Sequence, residues 1–219
     1  MHPALPRVLP FGLFIAFIAL DEPLAKLAPT FGMDPREWYG IRTVAVLALL
    51  IAFWGHYGEL RSRVATAGDW ALAIVLGLVI FVLWINLDVR PLALGRAPGF
   101  DPRSGGAIDW RLALTRVAGA VLIVPLMEEL FWRSFVMRWI KHPRFLEIAP
   151  AHVGLKALAV SSALFAVEHH LWFAGLLAGL AYGWLYMRAA NLWVPIVSHA
   201  VTNAMLGSWV LYTGRWEFW

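Results

Sequence analysis

The chain has 219 residues, 61% hydrophobic and 15% charged, with a formal net charge of +4 and a mean hydropathy of +0.68. That is more apolar surface than a soluble domain of this length needs, so an ordinary water-soluble globule is excluded. Cysteine is absent, which removes disulfides, thiol nucleophiles and Cys-based metal sites; the positive charge forms no basic stripe with interleaved aromatics, so nucleic acid is not an expected partner, whereas anionic lipid headgroups are.

Several apolar runs approach the roughly 20 residues that cross a hydrocarbon core. The first spans Val8–Leu27, follows Arg7, and is broken near Asp21-Glu22-Pro23. Ala19-Leu-Asp-Glu-Pro23 is a poor signal-cleavage sequence, so this run reads as a retained first helix. Ile41–Tyr57 and Trp70–Leu87 form the second and third runs. A loop rich in Pro and Gly, from Arg90 to Asp109, reads as surface turns. The fourth run begins at Trp110 and continues to Ile140, where Lys141-His-Pro-Arg144 ends it. Val153–His169, Trp172–Arg188 and Val194–Leu211 complete the set. Many of the 13 Trp sit near the ends of these runs, as in interfacial aromatic belts. The expected fold is therefore all-α: a polytopic transmembrane helical bundle of about seven helices. Residues 1–219 read as one integral membrane domain. Its first 110 residues carry no readable motif, and residues 111–212 carry the chemistry.

That chemistry starts in the fourth run, at Pro125-Leu-Met-Glu-Glu-Leu-Phe-Trp-Arg133. An ionisable group at bilayer depth costs on the order of 3 kcal/mol even on lenient insertion scales. Glu129 and Arg133 are one helical turn apart and can pair. Glu128 points about 100° away and has no obvious local partner. One Glu with one Arg is as well explained by a structural ion pair; the second carboxylate favours general acid or base chemistry.

Two later segments carry imidazoles. In Phe165-Ala-Val-Glu-His-His170, Phe165 and His169 share a helix face, whereas His170 and Glu168 turn elsewhere and read as interfacial or solvated. Neutral imidazole exchanges protons near pH 7. In Val194-Pro-Ile-Val-Ser-His-Ala-Val-Thr-Asn203, His199 and Asn203 share a face. Together they can donate hydrogen bonds to a developing oxyanion, or simply bond a neighbouring helix. Ser198 and Thr202 read as packing. Gly175, Gly179 and Gly183 recur every fourth residue, a spacing that lets helices approach closely. No Gly-x-Ser-x-Gly elbow, His-Glu-x-x-His zinc pattern, P-loop or dinucleotide fingerprint is present.

Glu-Glu-x-x-x-Arg at 128–133, Phe-x-x-x-His at 165–169 and His-x-x-x-Asn at 199–203 occur in this order on successive membrane segments. Between Ala118 and Leu206 the chain resembles the CAAX-protease and bacteriocin-processing (Abi, or CPBP) family of intramembrane proteases. Within it, the chain looks most similar to the exosortase-associated bacterial proteins. The resemblance implies peptide-bond hydrolysis in the membrane. Glu128 and His169 would hold and activate a water, with Glu129 and Arg133 in support or Glu129 assisting His169. His199 and Asn203 would stabilise the oxyanion. Phe165 belongs to the His169 motif. A site without stably bound zinc is the reading adopted, with zinc on Glu128, His169 and His199 as the alternative. The implied partners are membrane lipid and a membrane-associated protein substrate, either lipidated or sorted by its C-terminus. The implied location is a bacterial inner membrane. Two rival readings are a catalytically idle scaffold or immunity protein of the same fold, and a proton-coupled transporter using the Glu/His chain as a relay.

Overall fold

The computed structural model describes residues 2–61, 65–95 and 99–219; residues 96–98, inside the loop from Arg90 to Asp109, lie outside the described residues. The described chain is almost wholly helical. In order, the helices are α1 (Leu5–Ala19), α2 (Asp21–Leu27), α3 (Trp38–Ala52), α4 (Ala67–Asn86), α5 (Trp110–Lys141), α6 (Leu155–Val167), α7 (Trp172–Ala189) and α8 (Trp193–Thr213).

Local chemistry sets their ends. Thr66 and Asp69 form a reciprocal capping box that starts α4, satisfying donors that the first turn cannot pair internally. The Asp109 carboxylate accepts from the backbone N–H of Arg111 and Leu112 to start α5. Gly214, at φ 69°, closes α8 in the left-handed region, where a side chain would be strained. The loop read as plain turns contains a two-stranded antiparallel hairpin, β1 (Arg103–Ser104) and β2 (Ala107–Ile108). Gly105 and Gly106 both have positive φ, as a two-residue primed turn requires.

The span count differs from the seven expected. Among the described residues, α4, α5 and α8 are long and apolar enough to cross a membrane. A fourth span arises if α1 and the segment Asp21–Phe31, bent by 65° relative to it, are taken as one. The other expected runs do form helices, but α6 has 13 residues, about 20 Å of rise against a hydrocarbon core of about 30 Å. In α7 the apolar character is diluted by glycines, tyrosines and Arg188.

Packing brings the motif-bearing segments together through close backbone approaches. A Cβ on Gly77 of α4 would stand 2.5 Å from the Ser198 carbonyl of α8. One on Gly179 of α7 would meet Ser162 of α6 at 2.9 Å. Gly175 and Gly183 also face α6, so the glycine series is a helix-packing surface. α5 is not a regular helix throughout. Two wider π-helical stretches, Gly119–Ile123 and Leu130–Val136, flank a regular turn, Val124–Glu129. π-turns inside helices recur at functional sites because they rotate the side chains that follow.

A buried ionic cluster ties α1 to this helix. Arg7, 1% exposed, holds Glu59 through Nε and Nη2 at 2.7 and 2.6 Å. Its Nη1 donates to the Pro3 carbonyl and its Nη2 also to that of His56. Ser134 of α5 donates to Glu59, and Arg138 donates to the Ile148 and Leu146 carbonyls.

Candidate active site

The regular turn of α5 between its two π stretches carries Glu128 and Glu129, both buried. They face different surroundings. Glu128 lines a small cavity together with Phe165, His169, His199 and Asn203, and with Trp84, Tyr182 and Thr202. The cavity measures about 90 Å³, room for roughly three waters. No protein group hydrogen-bonds Glu128 Oε2. A buried oxygen of this kind is costly unless something else fills its bonding capacity.

Glu129 lies behind the cavity wall and is fully buried. Arg133 Nε approaches its Oε2 at 3.0 Å, but the N–H is not aimed at that oxygen, since neither atom has a hydrogen-bond partner. The attraction there is Coulombic. The Arg133 guanidinium also lies over the Phe165 ring, 4.7 Å from its centroid. Glu129 Oε1 meets His199 Nδ1 at 3.2 Å. Glu129 thus links Arg133 to His199, a connection made across 70 residues that spacing within one helix cannot reveal.

His169 follows the C-terminus of α6 directly. Its Nδ1 lies 2.9 Å from the Phe165 carbonyl, one of the terminal carbonyls an α-helix leaves unpaired. A carbonyl only accepts, so Nδ1 carries the proton and Nε2 is left as an acceptor. The ring packs at 4.7 Å against Phe165 and edge-on at 5.3 Å to Trp84. His170 turns away and lines a different, polar pocket with Asp88 and Arg215.

His199 stacks on Tyr182 with ring centroids 5.0 Å apart. The Tyr182 hydroxyl donates to Thr202 Oγ1, which donates to the Gly77 carbonyl of α4. This chain fixes the face on which His199 rests. Asn203 Nδ2 donates to the Ala120 carbonyl at 2.8 Å. In the i→i+5 register of that π stretch the group facing Ala120 would be the nitrogen of Pro125, which has no N–H. Asn203 satisfies the carbonyl that Pro125 leaves open and keeps a second N–H.

Trp84, Tyr182 and Thr202 carried no signal in the sequence, because an aromatic or Thr in an apolar helix is ordinarily packing. Glu168, read as solvated, is only partly so. It is exposed but accepts from Trp132 Nε1 at 3.2 Å, and its charge acts on Glu128. Among the described residues no three His, Asp or Glu side chains stand where they could hold one metal ion.

A helical chain with transmembrane-length segments and a buried set of Glu, His and amide groups around a water-sized cavity has the make-up of an intramembrane hydrolase. Residues 110–205 match the family model Rce1-like, described as type II CAAX prenyl endopeptidase Rce1-like. This segment, which holds all three motifs, is similar to that CAAX protease family, and the match together with the apolar helices points to an integral membrane protein. Comparisons with curated proteins and with solved structures find no match.

Proposed function

We propose that this protein is an intramembrane endopeptidase that hydrolyses a peptide bond of a membrane-associated protein with a water held by Glu128 and His169. The convergence of Glu128, His169, His199 and Asn203 on one cavity carries this reading. The Glu128 carboxylate and His169 Nε2 are both acceptors, so a water between them points its two hydrogens at them and its lone pair at the scissile carbonyl. Glu128 takes a proton as the water oxygen bonds to the carbonyl carbon. The oxyanion then receives Nε2–H from His199 and the second N–H of Asn203. For that, the Glu129–His199 pair holds two protons, one between Nδ1 and Oε1 and one on Nε2. Arg133 balances the Glu129 charge. Collapse of the tetrahedral intermediate breaks the C–N bond, and Glu128 returns its proton to the leaving amine. No acyl-enzyme forms.

The substrate is a lipidated or C-terminally sorted protein of a bacterial inner membrane. The test is cleavage of such a substrate by purified protein. Glu128→Ala, His169→Ala and His199→Ala are each expected to abolish turnover while the variants remain folded. Full activity in all three would overturn the assignment. Turnover is expected to survive dialysis against a chelator, and loss restored by added zinc would replace the metal-free scheme.

A further inference from the structure

Two guanidiniums outside the catalytic motifs make no contact ion pair among the described residues, although the Asp21 carboxylate acts on Arg42 from a distance. Arg42 of α3 and Arg116 of α5 flank the ring of Tyr39, with Cζ 4.9 and 4.3 Å from its centroid. Arg42 also lies over Phe14 at 4.4 Å, and Arg116 over Phe100 at 5.6 Å. The Tyr39 hydroxyl donates to the Arg116 carbonyl, which fixes the ring between them. Nearby arginines are matched: Arg36 with Asp34, Arg103 with Asp101, and Arg111 with Glu37. Among the described residues Arg42 and Arg116 make neither an ion pair nor a side-chain hydrogen bond, and the Nε of each is buried without an acceptor. Their charges act on one another. Aromatic faces offset part of this cost, but like charges with unspent donors favour an anion.

Both line a pocket of about 650 Å³. Its other carboxylates are Asp21, which pairs with neither arginine, and Asp101, already held by Arg103. The pocket shares Tyr39, Arg36 and Phe100 with an apolar groove of about 860 Å³ between α3 and α5. On α5 the groove runs from Arg111 to Ile123, a rise of about 18 Å, close to the ~15 Å depth of one leaflet. An anion-binding head joined to a leaflet-deep apolar slot has the shape and charge of a phospholipid site.

We propose that this site binds an anionic phospholipid, with its phosphate on Arg42 and Arg116 and an acyl chain in the α3–α5 groove. The test reads lipid retained by the purified full chain in native mass spectrometry, without turnover, so its outcome is separate from that of the hydrolase scheme. Phosphatidylglycerol is compared with diacylglycerol, which lacks the phosphate, and with inorganic phosphate, which lacks the chains. Phosphatidylglycerol is expected to be retained above both. Arg42→Gln with Arg116→Gln should lower its retention about thirtyfold. Ala48→Trp, which fills the groove from an exposed position without touching the arginines, should lower phosphatidylglycerol retention and leave inorganic phosphate binding unchanged. Inorganic phosphate bound as tightly as phosphatidylglycerol would make the site a free-anion pocket and overturn the proposal. So would unchanged lipid retention in both variants, or a raised KM for a protein substrate with lipid retention intact. Should the arginine pair prove necessary for folding, Ala48→Trp decides.

Discussion

Two buried ionic clusters meet α5 on neighbouring turns, and they are finished differently. At Arg7, Glu59 and Ser134, each guanidinium nitrogen has an acceptor at 3.1 Å or less, and both Glu59 oxygens are bonded. At Glu128, Glu129 and Arg133, four side-chain atoms are buried with no hydrogen-bond partner. A satisfied cluster has nothing left to offer a ligand and holds α1 against α5. An unsatisfied one costs stability and keeps bonding capacity for something that arrives. Burial and charge alone would rank the two alike; the count of spent donors and acceptors separates structure from chemistry.

Removing the Arg7 charge is the strongest way to break that contrast. Arg7→Met strands Glu59 in the interior and should cost about 3–5 kcal/mol. It would be read as a lowered melting temperature with unchanged turnover per folded molecule. Adding Glu59→Leu should return most of the loss, because a buried ion pair and its apolar replacement are often near equal in stability. If Arg7→Met melted normally but lost activity, the satisfied cluster would itself be functional.

Glu128→Gln keeps the shape and removes the base. Turnover should fall about a thousandfold, equivalent to roughly 4 kcal/mol, while the melting temperature holds or rises because the unpaid carboxylate is gone. Asn203→Ala should lower kcat about a hundredfold through loss of an oxyanion donor. It should also cost about 1–3 kcal/mol of stability, since the Ala120 carbonyl loses its donor. A pure stability loss would restrict Asn203 to repairing the π stretch. The smallest effect on turnover is expected from Trp132→Phe, which removes the N–H given to Glu168 and leaves a gap among Phe11, Phe131 and Phe165. Stability should fall by about 1–3 kcal/mol, with a small shift in the pH profile of turnover as Glu168 loses its donor.

The helices were legible because each is a local matter. Long apolar runs and the Pro and Gly punctuation act within a few residues, and the observed ends lie close to those read from the chain. The membrane count was not, because Trp172–Arg188 and Val153–His169 look like spans as letters yet make a short helix and a glycine-rich one built to pack on each other. In the site, Glu129 with Arg133 and Phe165 with His169 follow from helical spacing. The bond from His199 to Glu129, the Tyr182–Thr202–Gly77 chain and the bond from Trp132 to Glu168 do not, since each crosses between elements.

The chain by itself determined a helical membrane protein and the types of group available for hydrolysis, because hydropathy and i, i+4 geometry are properties of neighbouring residues. Which of those groups share a cavity, which are already spent on one another, and that Asn203 answers the carbonyl left open by Pro125 were decided by tertiary packing. Hydrogen bonds between helices depend on the rotation and depth at which the helices dock, and no local spacing encodes that.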